Sequence, residues 1–206
     1  MGDHHTHQAH REAVDEQSYP WSTIGKLFTE GSGECSGVLI SRDKVLTAAH
    51  CLFNYRTGRF VRAEALHFLV GYRTGRYAAH ARIAHYEIGR GFNPLRYEQT
   101  SDADWGGPDR DGEQPAAIEP LRLRREPAPS GTKAVLVGYP QDRAFAMTAD
   151  CDCELREKID AGRLFCTPAE ASRALRALRC WSARAVARCR SLAFRLPRFK
   201  VTAQRR

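Results

Sequence analysis

Residues 35–53 read CSGVLISRDKVLTAAHCLF, and the two halves of this stretch decide the fold. CSGVLIS is apolar and β-branched, SRD is a polar turn, and KVLTAA is a second short apolar run, so the segment predicts two adjacent strands around a hairpin. The small residues Thr47, Ala48 and Ala49 permit close packing just before His50. A histidine held at the end of a strand can take a proton from a hydroxyl. The alternative, a structural histidine in the core, has less support from these neighbours. Cys51 follows directly, and Cys35 lies sixteen residues back across the predicted hairpin. The two are natural disulfide partners, and closing such a loop stabilises by about 3 kcal/mol in the chain-entropy picture.

Working outward, YPWSTIGKLF (19–28) reads as an opening turn and a strand, and Gly31–Gly33 as the next turn. HFLVGYRTGRYAAHARIAHY (67–86) offers two more strands around a Gly-containing turn, and AVLVGY (134–139) another. Short strands separated by Gly, Pro, Asn and Asp clusters argue for an all-β barrel or sandwich. After residue 170 the pattern breaks. ASRALRALRCWSARAVARCRSLAF contains no Gly and predicts a basic helix, with Leu175, Leu178 and Trp181 at helical spacing, before a polar end. The expected units are a polar, mobile N-terminal arm (1–18), a β domain (19–166) and an Arg-rich tail (167–206), helical or disordered. His4, His5, His7 and His10 offer weak metal ligands, but read more simply as part of a solvated arm.

The formal net charge of +8 over 206 residues belongs to the tail. Residues 171–206 hold eleven of the 32 basic residues and no acidic ones, which leaves 21 basic against 24 acidic residues in 1–170, a net of −3. Seven cysteines in a chain of this size point to an oxidising compartment, with at least one thiol unpaired. The single close pair, Cys151 and Cys153, has no second pair at ligand spacing, so no zinc set is expected. No run of 18 apolar residues exists, so no membrane span is expected, and MGDHHTHQAHREAVDEQ (1–17) has no apolar core of the kind a secretory signal needs.

CSGVLISRDKVLTAAHCLF resembles the equivalent segment of the chymotrypsin-like serine peptidases. YPWSTIGKL, without an Ile-Val-Gly-Gly type start, is similar to their bacterial glutamyl-endopeptidase-like branch. The resemblance covers 19–105 well and 116–166 less well. It implies two six-stranded β-barrels with the active site in the cleft between them, and His50 as general base. The carboxylate partner falls in SDADW (101–105): Asp104, just before Trp105, is the first choice and Asp102 the second, against the simpler reading of a solvated acidic loop. AIEPLRL (117–123) and GTKAVLVGYPQDRAFAMTADCDC (131–153) resemble the start of the second barrel, with Arg143 typical of the branch. Cys153 and Cys166 would pair, leaving Cys151 as the extra thiol. The resemblance further implies a protein or peptide substrate, no cofactor, no specific nucleic-acid partner and an extracellular or periplasmic setting. It leaves the oligomeric state open.

Two stretches depart from the family. GGPDRDG (106–112) is turn-rich and charged where a buried strand is expected. It can be encoded so that a one-base shift reads Ala-Ala-Leu-Ile-Glu-Met; a natural loop insertion is the alternative. The nucleophile is the second departure. The family needs Gly-Asp-Ser-Gly or a close variant, because glycine lets backbone amides turn towards a developing oxyanion. Ser followed by Gly occurs only at Ser32, Ser36 and Ser130, all in the wrong place, and Ser172 is followed by Arg173. EASRALR (170–176) can likewise be encoded so that a one-base shift reads Gly-Glu-Ser-Gly-Ala-Pro. The second barrel is therefore expected to be incomplete. The expected function is a serine endopeptidase by descent, inactive for want of its nucleophile loop; a peptide-binding or regulatory pseudoprotease with a basic tail is the alternative.

Overall fold

The computed structural model describes residues 11–30, 33–111, 118–123, 129, 131–155, 157–159 and 164–166, with side chains described through residue 151. The strands are β1 (Arg11–Ala13), β2 (Ile24–Thr29), β3 (Gly33–Leu39), β4 (Val45–Leu46), β5 (Phe53–Asn54), β6 (Arg59–Phe60), β7 (Leu66–Val70), β8 (Ala79–Ile88), β9 (Gly106–Asp111), β10 (Thr132–Gly138), β11 (Thr148–Leu155), β12 (Glu157–Ile159) and β13 (Leu164–Cys166). Helices are few and short.

The first sheet is antiparallel in the order β4-β3-β2-β7-β8-β9. Bridges Lys44↔Asp109 and Thr47↔Gly106 bring β9 back beside β4, so the sheet nearly closes into a six-stranded barrel. Alternation places the core: in β7, Leu66, Phe68 and Val70 are fully buried while His67 and Leu69 are not. They pack with Leu27, Leu39, Val45, Leu52 and Ile83, each such side chain contributing about 1.5–3 kcal/mol on burial. The barrel wall tolerates no side chain at Gly25, where a Cβ would lie 2.5 Å from Phe68 Cζ.

The second sheet runs β1-β11-β10, and β12 and β13 form a separate hairpin. An apolar cluster joins the two sheets: Ile24 and Val38 from the barrel meet Val14, Tyr139, Met147 and Ala149. Polar contacts lock the same seam. Ser36 Oγ accepts from the Tyr139 N–H at 2.8 Å, and Leu39 O from the Leu121 N–H at 2.8 Å. Lys26 is buried; its ammonium donates to Ala144 O (3.0 Å), pairs with Glu34 (2.6 Å) and lies 4.4 Å from the centre of the Tyr72 ring.

The SRD hairpin forms as expected, with Val38↔Leu46 and Leu39↔Val45 paired and Ser41 donating to Asp43. Three findings differ from the sequence reading. Arg11–Ala13, placed in the polar arm, pairs with Thr148–Asp150, and Arg11 makes a two-pronged contact with Asp142 at 2.9 and 2.7 Å. GGPDRD is a strand rather than an inserted loop. Asp109 meets Lys44 (3.2 Å) and His85 (2.7 Å). The main chain of the strand pairs along β8 from Ile88 to Arg82. Cys151 is disulfide-bonded and packs against the second apolar cluster, so it is not the extra thiol. The expected Cys153–Cys166 bridge, the basic helix and the rest of the tail lie outside the described side chains.

Candidate active site

His50 sits in a 3-10 turn, Ala49–Leu52, that follows β4. Ala48 and Ala49 are buried completely, which the small side chains allow, and Thr47 Oγ1 donates to Ser36 O at 2.8 Å. Cys51 bonds to Cys35 on β3 with Cα atoms 6.1 Å apart, the expected pairing, so the turn is tied covalently to the barrel wall. Cys35, His50 and Cys51 lie close enough together to ligate an ion. The disulfide consumes both thiolates, however, and leaves no metal set there.

Asp104 arrives from the other direction. A short α-helix (Tyr97–Thr100) runs into a 3-10 turn (Ser101–Ala103), and Asp104 follows it. Thr47 and Gly106 exchange both backbone hydrogen bonds, at 2.9 and 2.8 Å. Thr47 lies three residues before His50 and Gly106 two after Asp104, so this one bridge sets the two side chains against each other. The Asp104 carboxylate accepts from the His50 backbone N–H at 2.9 Å and meets the ring Nδ1 at 2.7 Å. The side chain of Asp104 is 6% exposed and that of His50 21%. A carboxylate on Nδ1 fixes the tautomer that leaves the Nε2 lone pair free and favours the imidazolium once Nε2 takes a proton. Asp104, not Asp102, is the carboxylate on the ring.

Two further residues, not singled out above, shape the site. Tyr97 stands edge-on to the His50 ring, 5.9 Å between centres. Gly89 donates its N–H to Trp105 O at 2.8 Å, and a Cβ there would lie 1.9 Å from Ala103 O. Only glycine lets the end of β8 come so near the Asp104 turn; an isolated Gly after a strand was the available signal. Arg143 lies in a 3-10 turn whose Asp142 meets Arg11, and the Arg11 guanidinium, by hydrogen bonding, holds the Asp142 carboxyl below the usual carboxylate range.

The family model described as Trypsin matches residues 9–153. The chain belongs to the trypsin family. Among solved structures, this trypsin-family chain is similar to a Glu endopeptidase in complex with MPD, at 19% identity and TM-score 0.60, with 71% of this chain and 68% of that one covered. It is similar to a mutant of human heparin binding protein at 18% identity and TM-score 0.58, with 78% and 72% covered. It is also similar to the Vibrio cholerae VesB protease at 16% identity and TM-score 0.57, with 73% of this chain matched but under half, 45%, of that one. These likenesses show the fold. No curated protein matches the chain. Among the described residues, no helix is long and apolar enough to cross a membrane.

Proposed function

We propose that this chain carries the proton-handling half of a serine endopeptidase centre, with His50 as general base and Asp104 as its orienting carboxylate, and lacks the hydroxyl they would serve. The observation that carries the reading is the double contact of Asp104 with His50, through the ring and the backbone N–H together. Acyl transfer by this chemistry needs a serine Oγ about 2.6–3.2 Å from Nε2 and amide donors for the oxyanion. After Cys166 no Ser is followed by Gly, and Ser172 stands between Ala171 and Arg173. The triad acts as a unit, so the remaining pair supports no appreciable turnover. The substrate class of the parent chemistry is a protein or peptide. The disulfide and the family fit an extracellular or periplasmic setting.

The position of β9 supports a shifted reading phase over 106–112: a buried strand stands where the displaced frame spells apolar residues. The same phase argument restores a nucleophile loop at 170–176. Residues 11–166 are, on this reading, a protease domain with a truncated second barrel, β1 included, followed by a tail foreign to the fold.

A second reading, a binding or regulatory pseudoprotease, draws on the eleven basic and no acidic residues of 171–206 and on the likeness to a heparin binding protein. It predicts salt-sensitive retention on heparin that disappears when 171–206 are removed. For the first reading, digestion of a fluorescent casein by the purified chain is expected to match that of His50→Ala; turnover that depends on His50 contradicts it.

A further inference from the structure

On the outer face of the barrel, two imidazoles face each other. β7 and β8 pair with Leu69 opposite His80 and His67 opposite Arg82, so His67 and His80 are diagonal neighbours on the side away from the core. His67 Nδ1 lies 2.9 Å from His80 Nε2, with ring centres 5.1 Å apart. The far nitrogen of His67, Nε2, meets Glu30 Oε1 at 3.3 Å. Phe28 flanks the His67 ring and Tyr77 meets His80 edge-on, so aromatic side chains limit the rotation of both.

The chemistry follows from the tautomers. With a carboxylate on Nε2, His67 carries its proton there, and its Nδ1 lone pair points at His80. Between the two facing nitrogens there is then one proton, supplied by His80. Moving that proton to the other nitrogen of His80 leaves two lone pairs converging on one point. We propose that His67 and His80 form a binding site for a divalent transition-metal ion, with Glu30 orienting His67 from behind and water completing the coordination. A carboxylate that holds the far nitrogen of a ligating histidine fixes its orientation and raises its basicity.

Imidazole nitrogens sit about 2.0–2.1 Å from such an ion, so two ligands at a right angle are about 2.9 Å apart and two at the tetrahedral angle about 3.3 Å. The ion-free pair, hydrogen-bonded at 2.9 Å, lies within a small ring movement of either spacing. The stability order of the divalent series puts copper first.

The test titrates Cu²⁺, Ni²⁺ and Zn²⁺ separately into the full-length chain, followed by calorimetry and, for copper, by electron paramagnetic resonance. The competing N-terminal histidines (His4, His5, His7, His10) are changed to Ser in every sample, and His50 is retained. One copper per chain is expected, with hyperfine structure from two nitrogens and affinity above that for zinc. His67→Thr and His80→Thr place a residue that suits an exposed strand, and each should lower copper affinity at least tenfold with the circular dichroism unchanged. Glu30→Gln should weaken it about tenfold without changing the stoichiometry. Copper binding unchanged in His80→Thr, or zinc bound as tightly as copper, overturns the proposal.

Discussion

Removing the Cys35–Cys51 bridge, as Cys35→Ala with Cys51→Ala, tests how the His50 turn is held. The bridge spans sixteen residues of sequence and encloses the SRD hairpin and the whole LTAAH segment. In the chain-entropy relation a loop of this length confines the unfolded chain by about 10 cal/mol/K, or about 3 kcal/mol at room temperature. Cys51 is buried and Cys35 packs against the same apolar core, so truncating both also loses apolar contact there, adding about 1 kcal/mol. The expected loss is therefore about 3–4 kcal/mol, a large part of the roughly 5–15 kcal/mol that holds a domain of this kind together. Urea unfolding followed by tryptophan fluorescence measures it, as a fall in midpoint with a steeper slope, because the unlinked unfolded chain exposes more surface. A midpoint within error of the parent, with the bridge shown to be intact in that parent, would refute the claim that this covalent tie sets the stability of the His50 turn.

Gly89→Ala drives a methyl group to within 1.9 Å of Ala103 O and so must displace the Asp104 turn. It should cost about 1–3 kcal/mol and abolish the low-field proton resonance of the His50–Asp104 contact, though it touches neither residue. Glu34→Gln removes the countercharge of the buried Lys26 ammonium, which keeps Ala144 O and the Tyr72 ring, and should destabilise by about 1–3 kcal/mol, whereas Lys26→Met swaps a buried charge for an apolar chain of similar volume and should stay within about 1 kcal/mol of the parent; thermal unfolding compares the two. Burial holds the Tyr139 phenol well above its ordinary range, while its hydroxyl donates to Tyr72 O at 2.9 Å. The unfolded phenol ionises near about pH 10 and the folded one does not, so its stabilisation is complete below that pH and is lost as pH rises further. Tyr139→Phe should cost about 1 kcal/mol near neutrality and flatten the alkaline limb of a stability–pH curve.

The barrel half of the fold was legible because its signals are local. The two strands of 67–86 around a Gly-containing turn, the polar turn between two apolar runs and the two cysteines across a hairpin each declare themselves within a few residues. His50 stands in a distinctive short stretch, whereas the choice of Asp104 over Asp102 rested on the family resemblance, and the fold brings Asp104 to the ring. GGPDRD was not, because Asp109 is accommodated by Lys44 and His85, partners that only the closed barrel brings near. Arg11–Ala13 was hidden in the same way: a three-residue polar strand carries no pattern, and the β11 edge gives it one. His67 and His80 are thirteen residues apart with nothing to link them in sequence, and strand register alone joins them.

We propose that His50 and Asp104 have no hydroxyl to work on. A fluorophosphonate probe, followed by intact-mass analysis of the purified chain and of His50→Ala, reads this directly. No stoichiometric adduct should form on either. A covalent adduct on one serine of the parent that is absent from His50→Ala would contradict it, and peptide mapping would then name the nucleophile.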